Sequence, residues 1–152
     1  MLSQPVLRWL TAIRVAGDMV FDPAGLIKGL SIECGASRRV SLVGAYALKF
    51  PRRETPKIER EGRDANRREF ERWSEATEEV GRRAMCRVLY ASPSFDLVVM
   101  PRVAAILAQD WDARKAYALS EQCGWTFDVE FKIQDWGILD GRWVVVDYGN
   151  PD

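Results

Sequence analysis

The chain has 152 residues, 47% of them hydrophobic, with 22 Lys and Arg balanced by 22 Asp and Glu. That length and apolar content fit one domain, or one domain with a small appendage, and the charge balance leaves no basic footprint for nucleic acid. Histidine is absent from the sequence, which excludes Ser-His-Asp and Cys-His chemistry and histidine metal sites, and leaves acid–base work to carboxylates, Lys, Tyr or Cys. The three cysteines, Cys34, Cys86 and Cys123, are odd in number and far apart; they read as reduced thiols rather than a disulfide framework or zinc site. No run approaches the length of a transmembrane helix, and Met1-Leu2-Ser3-Gln4 lacks the basic start of a signal peptide. The expectation is a cytoplasmic protein with neither membrane nor nucleic acid as partner.

In chain order, Val6, Trp9, Leu10 and Ile13 recur at helical spacing and predict a short amphipathic helix from Pro5 to Val15. Gly17 to Gly25 reads as loop, with Asp22-Pro23 as a turn. Leu26 to Phe50 reads as three strands, broken by a Cys34-Gly35-Ala36-Ser37 turn and by Gly44. In the third strand, Tyr46, Leu48 and Phe50 share one face by period two, and Ala45, Ala47 and Lys49 share the other. Small residues ending in one Lys suit a cleft where a flat ligand lies against the sheet; they suit an exposed strand face equally well.

Pro51 to Arg63 is charged and polar and is expected to be a mobile loop, with Asp64 capping a long helix from Ala65 to about Met85. Phe70, Trp73, Val80 and Ala84 would form its core stripe. Glu69 shares a face with Trp73, Ala76 and Val80, so it points at the edge of the core, whereas Glu71, Glu75, Glu78 and Glu79 lean towards solvent. A carboxylate at a core edge needs a cation to offset its desolvation. Cys86 to Ala91 and Phe95 to Arg102 read as two strands about a Ser92-Pro93-Ser94 turn, and Ala104 to Gly124 as one helix stopped by Gly124.

Asp140-Gly141 between two apolar runs predicts a hairpin, because a type I′ turn needs positive φ at both central residues. In that register Leu139 faces Arg142, Ile138 faces Trp143, and Asp135 falls opposite Val146. Asp147 is then diagonal to Asp135, with Cβ atoms about 5–8 Å apart. Two carboxylates at the open end of a hairpin read either as solvated strand-end charges or as a Mg²⁺ site, since Mg²⁺ takes one or two carboxylates plus phosphate oxygens.

This stretch resembles the catalytic hairpin of the protein-kinase-like fold, which runs H-R-D-x-x-x-x-N, a hairpin, then D-F-G. Asp147-Tyr148-Gly149 resembles D-F-G, Asp135 stands at the Asn position, and Glu130 stands at the catalytic Asp position. Glu130-Phe131-Lys132 is similar to the Asp-Leu-Lys of Ser/Thr kinases, while Trp136-Gly137 and Asp140-Gly141-Arg142 resemble small-molecule kinases of the aminoglycoside phosphotransferase type. Ala47-Leu48-Lys49 resembles the Ala-Ile-Lys of the kinase third strand. The segment from Cys34 to Val40 stands at the glycine-rich loop, with Gly35 the one glycine kept of three and Val40 placed over the nucleotide base.

The resemblance implies an α+β, minimal protein-kinase-like fold. Its expected parts are a five-stranded antiparallel N-lobe sheet with one long helix (26–102), a reduced C-terminal lobe (103–152), and an N-terminal helix and loop (1–25). It implies ATP and Mg²⁺ as cofactors. Lys49 would hold phosphates, Glu69 would hold Lys49, Ala47 and Val40 would flank the base, and the backbone of Met100 or Arg102 would meet adenine at the hinge. Asp135 and Asp147 would hold the metal. Glu130 would orient or deprotonate the acceptor hydroxyl, with Lys132 on the γ-phosphate.

The sequence departs from the family pattern at three places. Glu130 is one methylene longer than the family Asp, Val129 and Asp128 stand for its Arg and His neighbours, and no activation loop or A-P-E segment follows Gly149. A nucleotide site without a complete substrate site is therefore expected. Two classes of function remain open: a truncated kinase of weak activity, acting on a protein or small molecule, and a catalytically inactive pseudokinase-fold module that inhibits a protein partner, as in a phage or mobile element.

Overall fold

The computed structural model describes residues 31–76, 81–125 and 127–151. The helix expected from Pro5 to Val15, the loop from Gly17 to Gly25, and Glu78, Glu79 and Val80 of the expected long helix lie outside the described residues.

Three antiparallel strands open the described chain: β1 (Ser31–Cys34), β2 (Arg38–Val43) and β3 (Tyr46–Pro51). With β4 (Tyr90–Ala91) and β5 (Val98–Pro101) they form a sheet of order β1-β2-β3-β5-β4. Tyr46 and Phe50 pack with buried Leu48, Leu97 and Val99 in a small cluster on one face of β3. Lys49 leaves the other face, where α1 (Pro56–Glu75) lies across the sheet. A Cβ on Gly62 would sit 2.5 Å from the Ser37 carbonyl and 2.8 Å from Pro51 Cα, so a glycine lets the helix rest directly on strand backbone.

A second sheet, of order β6-β7-β8, is built from β6 (Ala104–Ala105), β7 (Trp136–Leu139) and β8 (Arg142–Val145). The β7–β8 hairpin has the expected register, Leu139 opposite Arg142 and Ile138 opposite Trp143. Its turn residues Asp140 and Gly141 have φ of 52° and 74°, as a type I′ turn requires. Its far end reaches the segment after α1, through a parallel bridge from Val145 to Met85 and a hydrogen bond from the Cys86 N–H to the Val145 carbonyl at 2.8 Å. The larger core forms there, from Met85, Cys86, Val98, Met100, Trp136, Val145 and Tyr148 among others. No helix among the described residues is long and apolar enough to cross a membrane.

Several boundaries differ from expectation. The long helix begins at Pro56 and ends at Glu75, so most of the expected loop is helical and Asp64 lies mid-helix. Thr55 is the actual N-cap, its hydroxyl accepting from the Ile58 N–H at 3.2 Å, with Pro56 pre-set for the first turn. After the helix, Gly81–Ala84 form a 3₁₀ turn. Phe70 is 39% exposed and contacts Phe95, while the helix buries Gly62, Ala65, Asn66, Glu69 and Arg72. The inward stripe is therefore polar and small rather than apolar. The strands after it are shorter than expected, at Tyr90–Ala91 and Val98–Pro101. The helix expected from Ala104 to Gly124 is confined to α2 (Ala113–Cys123), preceded by β6 and a 3₁₀ turn at Ala108–Asp110. Asp112 caps α2, and Gly124 ends it in the left-handed region at φ 58°, the glycine stop the sequence suggests.

Candidate functional site

β3 and α1 bring Lys49 and Glu69 together. Lys49 Nζ lies 2.7 Å from Glu69 Oε1, with Glu69 0% exposed and Lys49 buried. Lys49 also donates to the carbonyl of Val146, the residue before Asp147. A third element completes the cluster. Arg38 at the start of β2 is buried and spans both carboxylates, with Nη1 3.0 Å from Glu69 Oε1 and Nη2 2.5 Å from Asp147 Oδ1. Nη1 also lies 3.4 Å from Asn66 Oδ1. The Asn66 amide is fixed in turn, donating to the Phe95 carbonyl at 2.8 Å and the Lys49 carbonyl at 3.3 Å.

Two cations thus meet two carboxylates in a buried network. Burial opposes the charge on Arg38, but Glu69 and Asp147 more than offset it and raise its pKa. Burial likewise opposes the charge on Asp147, yet Arg38 and Lys49 hold its carboxyl below the usual range. Glu69 Oε2 is buried and has no hydrogen-bond partner among the described residues.

Asp135 sits at the base of the hairpin, where its carbonyl accepts from the N–H groups of Val146 at 2.8 Å and Asp147 at 3.4 Å. It is 7% exposed, and its Oδ2 is a second buried oxygen without a partner. Burial, then the charges of Asp147 and Glu130, push its carboxyl up to about 7. Among the described residues no group of three or more His, Cys, Asp or Glu could hold a metal ion.

The segment after Asp147 is clamped. Tyr148 is fully buried and its hydroxyl donates to the Cys86 carbonyl at 2.6 Å. Arg72 Nη1 donates to the Tyr148 and Asn150 carbonyls at 2.5 and 2.8 Å, and Arg68 Nε to the Gly149 carbonyl at 2.7 Å. A Cβ on Gly149 would collide with the Ala65 carbonyl and lie 2.9 Å from Glu69 Cγ, so this glycine permits the close approach of the segment to α1. Cys86 carries no reactive role here, because burial pushes its thiol up to about 12.

The remaining sequence-predicted residues are placed as follows. Gly35 lies in the β1–β2 turn, its N–H donating to the Arg38 carbonyl at 2.8 Å. Val40 pairs with Lys49, and Ala47 pairs with both Leu42 and Met100, all on the β3 face that carries Lys49. Met100 is buried in β5, and the Arg102 N–H donates to the Ala45 carbonyl at 2.8 Å. Glu130 and Lys132 are exposed and pair with each other at 2.5 Å, the hydrogen bond to Glu130 raising the Lys132 pKa. Sequence reasoning missed Arg38, Asn66, Arg68 and Arg72. For Asn66 and Arg72 the available signal was helical spacing from Glu69, since residues three before and three after it share its face.

No family model matches the chain, and no curated protein matches it. Solved structures do. The 2.2 Å structure of WbdD aligns with a TM-score of 0.53 at 16% identity, over 78% of this chain and 32% of WbdD. WbdD is described in a related structure as a bifunctional kinase-methyltransferase; that alignment has a TM-score of 0.51 at 17% identity, over 74% of this chain and 29% of the other. The fold is kinase-like. A third structure, of WbdD with a kinase inhibitor, gives a TM-score of 0.51 at 16% identity, over 76% and 31% of the two chains. The kinase-like chain spans about a third of the length of the WbdD chains it matches.

Proposed function

We propose that the chain binds a nucleoside triphosphate such as ATP beside β3, as a kinase-like protein with weak or no phosphoryl transfer. One observation carries this reading. A buried Lys of β3 is held by a carboxylate of α1 and touches the backbone next to Asp147, in a chain whose fold is kinase-like. A Lys so placed holds phosphates in that family. On this reading residues 26–102 form the nucleotide-holding half, with Val40 and Ala47 against the base. The hinge contact is assigned to the backbone about Met100 and Arg102, where β5 ends. Residues 103–152 form a second part that presents Asp135, Asp147, Glu130 and Lys132.

The Mg²⁺ implied at Asp135 and Asp147 does not fit these donors as they stand. Oδ1 of Asp147 is turned onto Arg38, whose guanidinium stands where a metal would have to meet that oxygen. The side chains themselves bind and orient the phosphates. Transfer is expected to be weak because Glu130 is one methylene too long and is engaged by Lys132, and a misplacement of about 1 Å can cost roughly 10²-fold in rate.

The alternative reading is a pseudokinase-fold module that grips and inhibits a protein partner. The Arg38–Asp147 and Glu130–Lys132 pairs favour it, since both occupy groups that transfer would need. Thermal unfolding tests the choice. ATP is expected to raise the melting temperature by mass action, and Lys49→Ala to remove most of the shift. No shift at millimolar ATP, with or without magnesium, would overturn the nucleotide reading and leave the binding module. Release of ADP by the wild type, lost in Asp147→Asn, would establish transfer.

A further inference from the structure

We propose that Arg38 stands in for the divalent cation of this kinase-like site: its guanidinium neutralises Asp147 and, with Lys49, receives the phosphates directly, so that the nucleotide binds without magnesium. The inference rests on the nucleotide reading above and goes beyond it by naming what takes the place of the metal.

Position is the first support. Counting back from Val40 in the pattern G-x-G-x-x-G-x-V, the third glycine falls on Arg38. A glycine there leaves open space, whereas this chain sends a long cationic side chain inward. Geometry is the second. The guanidinium is buried and bridges Asp147 Oδ1, Glu69 Oε1 and Asn66 Oδ1, three acceptors on two other parts of the chain, which fixes the plane of its fork. Those contacts use three of its roughly five N–H donors, and the rest remain for phosphate oxygens, whose geometry an arginine fork matches. Lys49 shares the same Glu69 oxygen, so both cations are held within reach of one anion.

The surroundings favour an anionic ligand. Arg68 and Arg72, one turn apart on α1, donate to the carbonyls of Gly149, Tyr148 and Asn150 just past Asp147. With Arg38 and Lys49 they place four cations about Glu69 and Asp147, and an incoming polyphosphate meets that positive surplus.

The test is equilibrium binding of a fluorescent ATP analogue to the full chain, in EDTA and in millimolar magnesium. Wild type is expected to bind in EDTA within about threefold of its affinity in magnesium. Arg38→Gln is expected to bind at least about tenfold more weakly in EDTA and to recover in magnesium, because Asp147 is then released to a metal. Wild-type binding that falls about tenfold or more in EDTA overturns the inference and leaves the nucleotide reading intact. Binding in neither buffer removes both. An Arg38→Gln variant that is folded by circular dichroism and binds in EDTA like wild type also overturns it. Should that variant not fold, the wild-type comparison decides by itself.

Discussion

Glu69 has no exposure and takes Lys49 and Arg38 on one oxygen, at 2.7 and 3.0 Å. A charge at that depth persists only because it is paired, and removing one partner strands the others. Glu69→Gln keeps the shape but leaves two buried cations on a neutral amide. It is expected to cost about 3 kcal/mol in urea unfolding. Glu71→Gln alters a half-exposed side chain of the same helix, and the change should stay within about 0.5 kcal/mol. Equal, small effects would mean that the buried network does not hold α1 to the sheet.

Asp135 gives a pH signature of opposite sign to Asp147. Its folded pKa is raised to about 7 by burial and then by Asp147 and Glu130, above an unfolded value of about 3.9. Between those values the folded state holds more protons than the unfolded one, so this group's contribution falls as pH rises and is lost above about 7. Asp147, with its pKa lowered, contributes stability above its unfolded pKa and loses it as pH falls through the folded one. Asp135→Asn should therefore raise the melting temperature more at about pH 8 than at about pH 5. A calorimetric shift of the same size at both would point to altered packing instead of a relieved charge.

At the scale of elements, what the sequence made legible was whatever local chemistry decides. The hairpin could be read to its register because Asp140-Gly141 supplies two residues that tolerate positive φ, and the faces of β3 followed from strict alternation about Leu48. The limits of α1 could not be read from hydrophobic spacing. Its inward residues are Gly62, Ala65, Asn66, Glu69 and Arg72, small where the helix meets backbone and polar where it meets Arg38, Lys49 and the Tyr148 carbonyl, so a search for an apolar stripe settles on the wrong span. Thr55-Pro56 was the overlooked start signal. In the candidate site, the pairing of Lys49 with Glu69 was legible through the resemblance. Arg38 was invisible because its partners lie 28 and 109 residues away, and no local pattern encodes such a contact. The boundary itself can be tested. Thr55→Ala should cost about 1 kcal/mol by removing a cap. Asp64→Ala, at a half-exposed mid-helix position where the carboxylate pairs with Arg67 in the turn after it, should stay within about 0.5 kcal/mol. The reverse ranking would place the helix start at Asp64.

Across the whole molecule, the two sheets share one core and one electrostatic cluster. β8 holds Met85 and Cys86 through Val145, Tyr148 reaches back to the Cys86 carbonyl, and Arg72 of α1 grips the Tyr148 and Asn150 carbonyls. Arg38 and Lys49 tie the first sheet to Asp147 and Val146 at the end of the hairpin. None of these contacts can persist when only one sheet is lost, so the described chain should unfold in one cooperative step. Two probes see different parts of it. Four of the six tryptophans, Trp111, Trp125, Trp136 and Trp143, lie after residue 103, so fluorescence reports mainly on the second sheet and its surroundings. Far-UV circular dichroism is weighted to helix, of which α1 supplies 20 residues and α2 supplies 11. Urea curves from the two probes should coincide in wild type. In Arg72→Met, which removes the clamp but keeps much of the side-chain bulk, both midpoints should fall together by an amount worth about 2–4 kcal/mol. Separated midpoints in wild type would mean that the sheets melt independently and that the contacts through Val145, Tyr148 and Arg72 do not couple them.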